Sequence, residues 1–431
     1  MKLFSSDRNT RLLSIYYIFN FLAISVSSSG VITDMFLLNT GIDTARLGTL
    51  KSNIYLLPAL FFLLASGLLA RLNKDRSICA WCYIIRCAVP ALMTVTMLLC
   101  SPTPEVVYYM VAQMFIISYT CAMFANNILT RILQQVLPPG DFSRGCVFIP
   151  AQAGIIASIV SFGQIWLLEF ANEDRVSFLT TLFILQFIFA LLEIPAYRAL
   201  MALRLNGEAK RQNVVKIFDF SGIKKISAVK ELRFTFIYML LRGLYGGMLG
   251  AYLAIYLMKY RDWRAIDLAL TQSALAIVIV LMSGFTGRFA NKFGIMAFLG
   301  ISGLICAAVN FLWGAGINSF VWMQWLFLIL IYDGNAGGVL SSGQAALESG
   351  ATTLYAPEGR HELSIGIGAL MRAAGAFSGS CASSWLFMLL SGNGKEKFEK
   401  LFIICSLIPF VLFIIYYLTF RISKRGVFGI K

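Results

Sequence analysis

The chain has 431 residues, is 58% hydrophobic and only 13% charged, and carries a formal net charge of +15. A soluble protein of this size would carry about a quarter charged residues, and the apolar residues here run in blocks longer than the about 18 that already point to a membrane-spanning helix. A soluble enzyme and a nucleic-acid binder are both excluded, because Lys and Arg crowd into alternate short loops between apolar runs instead of forming one basic face. The chain reads as an all-α integral membrane protein of many spans.

Twelve spans are predicted, at 11–38, 48–70, 77–100, 105–132, 146–169, 176–202, 233–258, 266–288, 294–316, 320–346, 363–390 and 400–421. Such lengths cross the hydrocarbon with some tilt. The first apolar run, Leu12 to Leu38, is about twice the core of a secretory signal and is therefore read as a span. The spans form two six-helix bundles, residues 1–202 and 233–431, joined by a basic segment over 203–232 that holds Lys210, Arg211, Lys216, Lys224, Lys225 and Lys230. Its apolar residues, among them Phe220, Ile223 and Ile226, fit a helix lying on the anionic inner leaflet. A solvated cytoplasmic linker fits the same residues. With the N-terminus inside, about 24 of the 36 Lys and Arg fall in cytoplasmic segments and about 9 outside, so both termini are expected to be cytoplasmic. The expected location is a plasma membrane, the inner membrane for a bacterial source.

A repeat runs through the chain. Ser66-Gly67-Leu-Leu-Ala70-Arg71, after span two, returns as Ser283-Gly284-Phe285-Thr286-Gly287-Arg288, after span eight, and Lys292 follows. Leu47–Ser52 and Leu268–Ser273 open spans two and eight alike, and Leu137–Arg144 resembles Ala356–Arg360. Three echoes at offsets of roughly 217–221 mark a duplicated half, and two six-helix halves of like orientation are a transporter plan.

At these residues the chain resembles the major facilitator superfamily of secondary transporters. The resemblance spans nearly the whole chain. That family's turn reads Gly-x-Leu-Ala-Asp-Arg-x-Gly-Arg-Lys; Gly67–Arg71 matches its start without the aspartate, and Gly287-Arg288-Phe-Ala-Asn291-Lys292-Phe-Gly294 matches further, with asparagine in the acid's place. The resemblance implies that Gly67, Arg71, Gly287, Arg288 and Lys292 serve the cytoplasmic gate. It also implies that spans one, four, seven and ten line a central cavity, with two, five, eight and eleven at the interface of the halves.

Charges inside spans are costly, and each marks a candidate site. Asp34 lies in span one, Arg242 in span seven, Asp333 in span ten and Arg372 in span eleven; Arg86 and Glu193, on outer helices, read as helix tethers. For Arg242 and Asp333, contact with solute or coupling ion stands beside a structural ion pair. Asp34 fits either a coupling role or snorkelling to the surface. Arg372, among Gly368, Gly375 and Gly379, fits either solute contact or the bracing of two close helices. Asn126 and Asn127 in span four offer amide donors and acceptors, Gln113 is the repeat counterpart of Asp333, and Tyr245 follows Arg242 beside Gly243, Gly246 and Gly247.

The single histidine, His361, falls in a loop, so coupling to protons would rest on Asp34 and Asp333. No His, Cys or acidic cluster gathers in a loop, so neither an enzyme, a metal nor a cofactor is expected. The nine cysteines lie in or beside apolar runs and read as small buried hydrophobes. The expected partners are a small-molecule substrate, protons and membrane lipids, with no nucleic acid, and the chain is expected to be a monomer. Cavity arginines favour an anionic solute, since guanidinium forks match carboxylate and phosphate. An exporter of cationic amphiphiles and a lipid-precursor flippase are the alternatives.

Overall fold

A computed structural model describes residues 8–27, 56–61, 63–64, 75–100, 103–137, 145, 149, 156, 159–160, 163, 175–203, 220–250, 252–263, 265–316, 321–331, 339–358 and 360–420. The described residues carry α1 (Arg8–Ser27), α2 (Asp75–Cys100), α3 (Pro104–Val136), α4 (Arg175–Ala190) and α5 (Glu193–Met201). They continue with α6 (Phe220–Ala228), α7 (Lys230–Gly250), α8 (Leu253–Tyr260), α9 (Ala265–Phe293), α10 (Ile295–Gly314), α11 (Val321–Ile331), α12 (Val339–Leu354), α13 (His361–Leu389) and α14 (Gly394–Phe420). Among the described residues, five stretches are long and apolar enough to cross a membrane: Arg76–Cys100, Pro104–Ala125, Ile184–Met201, Ile295–Gly314 and Gly394–Phe420. The chain divides into two compact units, the first holding α1–α5 and the second α6–α14.

In the first unit, polar side chains fasten apolar helices to one another. Asn20 Nδ2 on α1 donates to Glu193 Oε1 on α5 at 3.3 Å, and Cys87 Sγ on α2 reaches the same oxygen at 3.8 Å. Arg86 is close enough to act on that carboxylate electrostatically. A carboxylate taken out of water needs such partners, and here they come from two other helices, α1 and α2. Arg76 opens α2 and donates through Nη1 to the carbonyls of Met201 and Leu203, both at 3.0 Å. Met201 ends α5 and Leu203 lies just past its cap, where carbonyls run out of helical N–H partners.

The second unit is built on a close crossing of α7 and α13. Gly243 and Gly247 on α7 face Arg372 and Ala376; Gly375 and Gly379 on α13 face Leu240 and Leu244. A Cβ at any of these four positions would overlap a backbone carbonyl of the other helix. Each helix thus presents glycines four residues apart, the spacing that puts small residues on one face and lets two backbones touch where lipid supplies no hydrophobic drive. Elsewhere in the unit, the fully buried Trp313 sits among Tyr256, Phe327 and Phe402, joining α8, α10, α11 and α14.

Several boundaries differ from the sequence expectation. Span ten was expected to end at 346, whereas α12 continues to Leu354, because Gln344–Thr353 holds no helix breaker except Gly350 and keeps its polar side chains on one buried face. The basic stretch after span eight is helical. α9 runs through Gly287, Arg288 and Lys292 to Phe293, and the chain turns only at Gly294, whose φ of +91° suits glycine. Within 203–232, Phe220–Ala228 forms α6, with Ile226 buried against Leu232 and Phe236, while Lys224 and Lys225 stay exposed. Tyr355 packs on the same cluster, and burial, followed by the Glu231 carboxylate, raises its phenol above the ordinary value.

Replacing Gly247 by Ala is expected to lower the apparent melting temperature of the purified protein, since overpacking costs about 1–3 kcal/mol. The same change at Gly284, where nothing lies within 4 Å, is expected to be neutral or stabilising by up to about 1 kcal/mol through helix propensity. Equal shifts in the two variants would rule out the backbone contact as the cause.

Candidate functional site

The α7–α13 crossing brings two arginines toward one acid. Arg242 leaves α7 one residue before Gly243, and Arg372 leaves α13 three residues before Gly375. Between them stands Glu348 on α12, fully buried. Arg242 Nη1 donates to Glu348 Oε1 at 2.8 Å, and Arg372 Nη2 donates to the same oxygen. Arg242 Nη2 also donates to the Ser341 carbonyl at 3.0 Å, one half-turn past the start of α12. Glu348 Oε2 has no hydrogen-bond partner among the described residues.

The electrostatics follow from the burial. An isolated ion in an apolar interior costs several kcal/mol, and removing one partner of a buried pair exposes that penalty. The Arg242 side chain is 10% exposed, that of Glu348 is 0% and that of Arg372 is 36%. Arg242 therefore depends on Glu348, whereas Arg372 retains access to its surroundings. α12 is shaped for this task. Ser341, Gln344, Glu348 and Thr352 stand at helical spacing on one face, and all four are buried. Gln344 Nε2 donates to Ser302 Oγ on α10 at 2.8 Å, and the Thr352 carbonyl accepts from Ser364 Oγ on α13 at 2.8 Å.

The other sequence candidates fall as follows. Tyr245 is buried one turn beyond Arg242, and its hydroxyl accepts from Asn310 Nδ2 at 2.6 Å. Gln113 is exposed on α3 in the first unit, and Asn126 and Asn127 are on the same helix, their side chains not being among those described. Gly287 is buried in α9, with Arg288 and Lys292 exposed and Lys292 Nζ 5.2 Å from the centre of the Phe293 ring. Asp34, Asp333, Gly67 and Arg71 lie outside the described residues. The described partner of Arg242 is thus Glu348 on span ten, where the sequence pointed to Asp333 on the same span. Sequence reading placed Glu348 in a loop and so missed it; the polar stripe Ser341, Gln344, Glu348 was the signal for it.

No family model and no curated protein matches the chain. Solved structures do match. The human organic anion transporter MFSD10 (TETRAN) is 13% identical, with a TM-score of 0.66 over 95% of this chain and 99% of that one. A bacterial homologue of the iron transporter ferroportin, in an outward-facing state, gives the same identity, score and coverage. A major facilitator superfamily transporter, FucP, in the outward conformation, is 10% identical, with a TM-score of 0.64 over 95% of this chain and 98% of that one. At such identities the likeness establishes the fold: all-α, with twelve membrane helices in two bundles.

Glu348→Ala leaves Arg242 buried without its carboxylate and is expected to cost about 3–5 kcal/mol of stability. Glu348→Gln keeps an oxygen acceptor and is expected to cost distinctly less. Thermal unfolding of the two purified variants checks the order, and an unperturbed Glu348→Ala protein would contradict it.

Proposed function

We propose that this chain, which has the fold of the major facilitator superfamily, is a secondary transporter that moves a small organic solute by alternating access and is not an enzyme. The observation that carries this reading is the buried cluster of Arg242, Glu348 and Arg372. Ionic groups inside an apolar helical unit are costly, and Arg372, a third exposed, is positioned to meet a solute as well as a helix. A passive scaffold would gain nothing from such a group. Arg242, Arg372 and Tyr245 are proposed to contact or orient solute, together with Asp333, Gln113, Asn126 and Asn127. Asp34 and Asp333 are proposed to carry coupling protons. Gly67, Arg71, Gly287, Arg288 and Lys292 are proposed to form the cytoplasmic gate, with α6 and its lysines on the same side of a bacterial inner membrane.

The solved structures of this fold are named for varied cargo: an organic anion transporter, a homologue of an iron transporter and a fucose:proton symporter. That range supports solute transport in general. The experiment is uptake of labelled solutes into proteoliposomes containing the full chain, with and without a pH gradient. Flux of at least one solute is expected, reduced at least about tenfold by Arg372→Ala in protein that still elutes as a single folded species. Absence of flux across a broad panel, with the fold verified, would contradict transport.

A further inference from the structure

We infer that, if the chain is a transporter, its substrate class is a small organic oxyanion (a carboxylate, sulfonate or phosphate monoester) and that Glu348 holds the place of that anion when no substrate is bound. The seat is the Arg372 guanidinium. Three features of the cluster lead there.

The first is donor capacity. Two guanidinium groups bring about ten N–H donors toward one carboxylate, yet both spend their bond to it on the same atom, Oε1. A planar guanidinium is best served by two oxygens of one anion accepting side by side. One oxygen shared between two forks falls short of that arrangement.

The second is the orphaned acceptor. Glu348 Oε2 is buried without a hydrogen-bond partner among the described residues, a state that costs free energy. Glu348 is therefore under-used in this arrangement. It can turn its second oxygen to Arg242 once another anion takes over Arg372.

The third is asymmetry of access. Arg242 is 10% exposed and has a further acceptor in the Ser341 carbonyl, whereas Arg372 is 36% exposed. An incoming anion therefore meets Arg372 first, and Arg242 is the partner that keeps Glu348 in place. A cationic solute would meet a like charge at this position, because the only carboxylate of the described cluster lies at its buried end.

The functional consequence is competition inside the protein. The substrate anion and Glu348 share Arg372, so removing the Glu348 charge improves anion binding, while removing Arg372 abolishes it. A purely structural triad would show neither effect.

The test is ligand-induced thermal stabilisation of the full chain, purified in a neutral maltoside detergent. Benzoate, benzenesulfonate and phenyl phosphate serve as anionic probes, with benzamidinium and benzyl alcohol as cationic and neutral counterparts of similar size. Phosphatidylglycerol in mixed micelles forms a separate arm, to distinguish a lipid headgroup from a soluble anion. At least one anionic probe is expected to stabilise the wild-type protein, with no effect of benzamidinium or benzyl alcohol. Glu348→Gln is expected to reach the same stabilisation at about tenfold lower concentration, and Arg372→Ala to show none at any concentration. Because Arg372 is the exposed member, Arg372→Lys provides a second variant that retains charge without the fork, and partial loss is expected there.

Stabilisation by benzamidinium, stabilisation by phosphatidylglycerol alone, an unchanged anion response in Arg372→Ala, or no response to any probe in both wild type and Glu348→Gln would each overturn the assignment. Binding and flux fail separately. Proteoliposomes that transport another solute while these probes do not bind would leave transport standing and remove the anion seat. Binding with the expected variant pattern but no flux would do the reverse.

Discussion

The cost of holding a guanidinium away from water organises the second unit. Arg242 can sit in an apolar bundle because one carboxylate and one backbone carbonyl reach it at hydrogen-bonding distance. Both lie on α12, so the pairing fixes how α12 turns relative to α7. It also explains why α12 carries a stripe of buried polar residues in a chain whose composition is otherwise so apolar. Without Glu348 that face would have nothing to answer, and with it the stripe continues into bonds with α10 and α13.

Close helix packing makes the ion cluster possible. Glycines four residues apart on both α7 and α13 remove the side-chain layer that normally separates helices. The two arginines, each adjoining one of these glycine ridges, are thereby brought close enough to share one oxygen. Backbone contact stiffens the α7–α13 pair, and the charge cluster sits against that stiff pair. Such a cluster can change by exchanging hydrogen-bond partners without bending the helices that carry it.

Much of this was legible in the chain itself. Twelve apolar blocks, the basic asymmetry and the duplicated Ser-Gly-x-x-small-Arg turn led to the fold that the solved structures share. Gly368, Gly375 and Gly379 around Arg372, and the glycines after Arg242, already pointed to close helix contact, and the crossing uses four glycines from those two stretches. What hid was Glu348. Hydropathy alone ended span ten at 346, since Glu348, Ser349 and Gly350 then fall between spans; a helix with one buried polar face averages to the same low hydropathy. The partner of Arg242 was sought at Asp333 for the same reason. The end of α9 was drawn early by a similar effect, as Arg288 and Lys292 point outward from a helix that continues beneath them.

The link between Arg242 and Glu348 is the point on which the description of the second unit rests. A double-mutant cycle, with Arg242→Met, Glu348→Met and the pair together, measures it in unfolding free energies of the full chain in mixed micelles. Groups that share a buried ion pair are expected to couple by about 1–3 kcal/mol, the double variant being less damaged than the two single losses combined. Losses that add to within about 0.5 kcal/mol would mean that the two side chains do not meet, and would contradict the cluster.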